Sequence, residues 1–178
     1  MLKQFFLMAV IFSSVAVPAP HKPEYMRLKV GNAVEVKGNW ARAKQVFMAH
    51  EIEWLPEPRR PKLRGAIAGV NPKEKSFTLY GMKIQVDSHT EFLDDAAKAV
   101  RFEGIKPKTR VEVTCNVDEK GNWLARKISF DKVKPTDKVK GTVTRLAFDG
   151  VPPDTFEISG LKILALPGTD LIGPWPEK

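Results

Sequence analysis

Residues 62–90 read KLRGAIAGVNPKEKSFTLYGMKIQVDSHT, and residues 138–169 read KVKGTVTRLAFDGVPPDTFEISGLKILALPGT. The two stretches are copies of one pattern. Gly65 answers to Gly141, Phe77 to Phe156, Gly81 to Gly160 and Thr90 to Thr169, and the second copy carries a longer loop at GVPPD. A second pattern is also present twice. Residues 32–54 read NAVEVKGNWARAKQVFMAHEIEW and residues 109–130 read TRVEVTCNVDEKGNWLARKISF. If the first pattern is A and the second B, the chain runs B–A–B–A. Self-similarity of this kind decides architecture before any residue-level reading.

Both patterns are β in character. In A, Phe77 and Leu79 alternate with polar residues, as do Met82, Ile84 and Val86, and Tyr80-Gly81 joins the two runs. In B, Val111 and Val113 flank Glu112, and DEKGN with Gly121 makes a hairpin turn. Ala125 and Ile128 stand three apart, which breaks strict alternation and predicts a bulge or a twist. Asp94 or Asp95 is placed to cap a short helix over Ala96–Val100. The middle A–B unit therefore reads β-β-β-α-β-β, the order of an OB-like barrel of five strands. A lone A or B would leave sheet edges open. The expected fold is all-β with minor α. It comprises two OB-like five-stranded barrels, one continuous over 63–130 and one assembled from 28–55 plus 139–168; the alternative is a single larger sheet with several hairpins. Closure of that second barrel between chains would give a swapped dimer. Residues 17–27 form an exposed lead-in, 56–62 and 131–138 are Pro-rich or polar connectors, and 169–178 is a tail.

The arrangement resembles a family of exported bacterial proteins built on a domain of unknown function with tandem OB-like repeats. Its pattern is met in the middle unit at Gly65, Ile67, Phe77, Leu79, Gly81, Ile84, Val86, Thr90, Val111, Val113, Ala125 and Ile128. The end units meet it in part, at Val34, Val36, Ala49 and Ile52 and at Gly141, Val143, Phe156, Ile158, Gly160, Ile163 and Thr169. These are turn glycines and barrel apolars. The resemblance implies a fold and export, and carries no activity.

The 178 residues are 43% hydrophobic and 28% charged, with a formal charge of +8 and a pI of about 9.6. The chain begins with Lys3, an apolar run from Phe5 to Phe12, and small residues from Ser13 to Ala16. That order predicts a secretory leader cleaved after Ala16, and a periplasmic or extracellular protein. The apolar run is too short to span a membrane as a helix. Cys115 is the single cysteine, so no intrachain disulfide forms, and its strand setting predicts a packed thiol.

No phosphate loop, serine elbow, CxxC or HExxH occurs, and the chain is not expected to be an enzyme or to hold a cofactor or metal. Asp87, His89 and Glu91 alternate on one strand face, a set that could hold Zn or Mn, and Glu51 and Glu53 share a face as general acid–base work requires, but both read as solvated strand faces. Trp40 and Trp123 occupy matching GNW positions just past the hairpin turn of each B, and the repeated position reads first as a plug at each barrel end; as candidate ligand or anion contacts they stand together with Arg59, Arg60, Lys62, Arg64, Lys138 and Lys140. The expected role is a structural or protein-binding component of the bacterial cell envelope. The alternative is an extracytoplasmic binder of an anionic polymer, nucleic acid or acidic polysaccharide, through its basic surface.

Overall fold

A computed structural model describes residues 24–57, 59–94, 101–130, 134–148, 154–173 and 175. The expected leader and the expected helix over Ala96–Val100 lie outside the described residues. Among the described residues, twelve strands form one hydrogen-bonded sheet. They are β1 (Ala33–Ala41), β2 (Val46–Leu55), β3 (Lys62–Ala66), β4 (Gly69–Asn71), β5 (Ser76–Leu79), β6 (Met82–Gln85), β7 (Glu91–Leu93), β8 (Arg110–Val117), β9 (Trp123–Phe130), β10 (Asp137–Ala147), β11 (Asp154–Ile158) and β12 (Leu161–Ile172). Short 3₁₀ turns lie at Glu24–Arg27, Arg42–Lys44 and Phe102–Gly104.

The two chain ends close a five-stranded barrel. Its order is β1-β2-β12-β11-β10, and β10 returns to β1 with Val34 opposite Gly141 and Val36 opposite Val139. This end barrel satisfies both edges of the β1–β2 hairpin, which would otherwise stay open. Its interior is Val34, Val36, Phe47, Ala49, Ile52, Val143, Phe156, Ile158, Ile163 and Ala165, all but sealed from water. Tyr25 covers it with its hydroxyl donating to Asp154 at 3.1 Å.

The middle segment repeats the path as β4-β5-β6-β9-β8-β3, with the short β7 added alongside β9. Here β3 and β4 are the halves of one bent stretch, with β3 paired to β8 and β4 to β5. The bend is tied on both sides: the Ile67 amide donates to Thr109, and the Ala68 amide to Thr78. β10 divides its pairing in the same manner, its first half on β1 and its second on β11.

The register makes the repeat explicit. β12 runs parallel to β2 with Ile163 opposite Phe47, and β6 runs parallel to β9 with Ile84 opposite Trp123. The expected bulge is present twice. Arg126 is the extra residue of β9 between Ala125 and Lys127, and His50 is the extra residue of β2 between Ala49 and Glu51. Thr90 and Thr169 pin these bulges in the same way. Each hydroxyl donates to the carbonyl before the bulge, Ala125 at 2.8 Å and Ala49 at 3.0 Å. Tyr80-Gly81 and Ser159-Gly160 are hairpin turns with positive φ at both residues, where a glycine second residue removes the strain.

The two barrels are joined along β10 and β3, which pair antiparallel with Lys138 opposite Arg64, Val139 opposite Leu63 and Lys140 opposite Lys62. They also exchange turns. The Tyr80 ring of the middle barrel packs on Phe47 and Trp40 of the end barrel, with centroids 5.1 and 5.8 Å away. Its hydroxyl donates to the Arg64 carbonyl, and a Cβ at Gly65 would collide with it. In return, the Trp123 indole of the middle barrel donates to the Ser159 carbonyl at 3.2 Å.

Candidate functional site: the charged seam between the barrels

Strand alternation sets the outer face of the joint. On β10 and β3, Val139 and Leu63 are sealed in the core, so Lys138, Lys140, Lys62 and Arg64 face outward. Register carries the same face across β1 and β8, where Glu35 stands opposite Lys140 and Glu112 opposite Arg64. Four of the expected anion contacts thus meet on one surface, and two glutamates flank them.

Glu35 accepts from Lys138 and, at 2.8 Å, from Lys140. Glu112 accepts from Lys62 at 2.9 Å and from Arg64 through two guanidinium nitrogens. The repeat sets both triads, since VEV carries each glutamate and K-x-[KR]-G carries each cation pair. Burial pushes the Glu35 carboxyl up, but hydrogen bonds and charge from Lys138 and Lys140 outweigh it and hold the carboxyl below its usual range. Glu112 is held low in the same way: burial raises it, and Lys62 and Arg64 prevail.

The sign of this linkage is definite. A carboxyl depressed in the folded state contributes stability that is complete above its unfolded value, roughly 4.3. The contribution is lost as pH falls through the folded value. Melting temperature should therefore drop on acidification below about pH 4.3. Glu35→Gln should melt lower at pH 7 and show a shallower acid limb. Thermal melts from pH 7 to pH 3 check both, and an acid limb unchanged in Glu35→Gln would contradict the assignment.

The other expected contacts lie apart from the seam surface. Arg59 and Arg60 are exposed in the connector before β3. Trp40 is half-buried on Tyr80, and Trp123 is only 1% exposed. The shared GNW letters do not mark equivalent positions. Trp40 is the last residue but one of β1, before the reversal at Arg42–Gln45, and pairs with Phe47. Trp123 begins β9, after its turn, and pairs with Val117. The register counterpart of Trp123 is Phe47. The glycines differ accordingly: Gly121 is a turn residue at φ +80°, whereas Gly38 lies in a strand where a Cβ would strike the Met48 carbonyl.

Glu35, Glu112 and Tyr80 are the participants that the linear sequence did not single out. A second surface feature is a half-open cavity of about 950 Å³ on the middle barrel, with Met82, Lys83, Gln85, Asn116, Leu124 and Arg126 among its walls. Lys83 is paired with Glu74 at 2.6 Å and Arg126 lies 3.8 Å from Asp87. Cys115 is sealed beneath this sheet, and burial pushes its thiol up to about 12. Among the described residues no three His, Cys, Asp or Glu side chains are grouped to hold a metal ion, and no helix is long and apolar enough to cross a membrane. Asp87 instead caps its own loop, accepting from the His89 amide, and Glu91 pairs with Lys127 at 3.7 Å.

A family model described as a domain of unknown function, DUF5666, matches residues 14–53 and 64–129. No curated protein and no solved structure matches the chain. The matched residues are the front B unit and the middle A–B unit, while β10, β11 and β12 fall outside the match.

Proposed function

The chain belongs to the DUF5666 family, and we propose that it is an exported, non-catalytic β-barrel module serving as a structural or protein-binding component of a bacterial cell envelope. One observation carries this reading. Glu35, Glu112, Tyr80 and Trp123 are committed to the joint between the barrels. Glu35 and Glu112 are held ionised by paired cations, so neither is poised to exchange a proton near neutral pH. The Cys115 thiol is kept protonated and out of reach. What remains is a joined body with a half-open cavity, suited to contact rather than turnover. Export is tested by the intact mass of the chain secreted from a bacterial host. The expected mature mass lacks residues 1–16, and a mass that retains Met1–Ala16 would sink the claim.

A second reading, binding of an anionic polymer, is favoured by the seam, where four cations face two carboxylates. Loss of Lys3 with the leader takes the formal charge from +8 to +7. Retention on heparin should then be weak and should vanish between low and physiological salt, as screening and counterion release require. Binding of an oligonucleotide that survives high salt with sequence preference would overturn this account of the charged surface.

A further inference from the structure

We propose that the β10–β3 seam is a binding site for a compact oxyanion, a phosphate or sulfate group, seated over the midline between the two barrels. The inference rests on the anionic-polymer reading and deepens it by naming the group and its place. Lys138 stands directly opposite Arg64 and Lys140 opposite Lys62. Like charges facing each other across a strand pair repel. Across β1, β10, β3 and β8 the order of charge is negative, positive, positive, negative. The two carboxylates lie on the outside and draw the cations apart, which leaves the midline lined by positive charge from both sides.

The pairs Lys37–Glu51, Lys83–Glu74, Arg110–Asp137 and Arg145–Glu157 each set one cation against one carboxylate. At the seam each carboxylate serves two cations. Arg64 and Lys138 are largely withdrawn from water, to 11% and 17% exposure, while Lys140 at 23% and Lys62 at 35% reach further out. Charge in such a position is screened less than charge on an open surface. An oxyanion over the midline accepts hydrogen bonds from both halves and relieves the repulsion between them. The two triads are related by the repeat, so a tetrahedral group can offer one pair of oxygens to each.

The test uses the mature chain, with inorganic phosphate and heparin as separate probes, followed by amide chemical shifts in low salt. Phosphate alone, or heparin alone, should shift amides at 62–64 and 138–140 ahead of those elsewhere. A response to phosphate identifies a free anion as sufficient, and a response to heparin only identifies the group on a polymer. The double variant Lys62→Gln/Lys138→Gln should weaken binding by about 10-fold or more, equivalent to at least one charge-assisted contact. Glu35→Gln should tighten binding several-fold while lowering the melting temperature, because it releases Lys138 and Lys140. A purely structural seam would lose stability with no gain in affinity. Arg59→Gln/Arg60→Gln is the comparison. If that variant abolishes heparin retention and the seam variant does not, the site is wrong and the polymer reading stands. If neither probe binds the parent chain, both fail. Wild-type shifts in the cores of the variants guard against misfolding.

Discussion

Deletion of residues 139–178 is expected to unfold the end barrel and leave most of the middle barrel folded. The truncation removes β11, β12 and nearly all of β10, so β1 loses one neighbour and β2 the other. An isolated two-stranded hairpin is marginal in water. Val34, Val36, Phe47, Ala49 and Ile52 would lose the Val143, Phe156, Ile158, Ile163 and Ala165 side that seals them. Burial of each large apolar side chain is worth roughly 1.5–3 kcal/mol, well beyond what a hairpin alone supplies. Loop closure over the intervening segment opposes the native pairing only logarithmically, about 0.6 kcal/mol per doubling of length. Amide exchange at 33–55 should therefore approach that of an unprotected chain. Amides in β5, β6, β8 and β9 should stay protected, with a partial loss at Lys62–Arg64 where β3 loses β10. Protection of 33–55 equal to the full chain would show that the two ends do not share a barrel.

Trp123→Ala should be the most damaging single substitution at the joint. The indole is 1% exposed, faces Ile84 across the parallel β6–β9 pair and donates to Ser159 of the other barrel. Truncation of a buried Trp costs about 3–5 kcal/mol, a large part of the roughly 5–15 kcal/mol that a domain holds. Trp123→Phe keeps most of the ring contact and removes the donor, and should cost nearer to 1–3 kcal/mol, with Ser159 left short of a partner. Urea unfolding of both variants measures this. A loss under about 1 kcal/mol for Trp123→Ala would contradict the view that Trp123 is a packed element of the joint.

The fold was legible in the sequence to the extent that it was written in local alternation and repeated at a fixed step. Val34, Val36, Val111 and Val113 announced strands, Gly81 and Gly160 announced turns, and the unpaired end halves implied closure. The bulge was visible because Ala125 and Ile128 break the period of two. The joint was not legible in the same way. Tyr80 and Trp123 find their partners in the other barrel, and no local pattern reports which turn will face which strand. The letters GNW misled for the same reason, since one copy lies within a strand and the other in a turn, and only register separates them. The seam lay between these cases. Its four cations were visible as a basic cluster, but Glu35 and Glu112 become their partners only once β1, β10, β3 and β8 are known to lie side by side.

The closure of one barrel by the two ends of a single chain is tested most directly by nuclear Overhauser contacts in a sample that mixes isotope-labelled and unlabelled full-length protein. Cross-strand contacts are expected between Val34 and Gly141 and between Val36 and Val139. They should appear within the labelled chain at every mixing ratio, and should be missing from spectra filtered for contacts between labelled and unlabelled chains. Their appearance only between chains, or their absence from both spectra, would contradict closure within one chain.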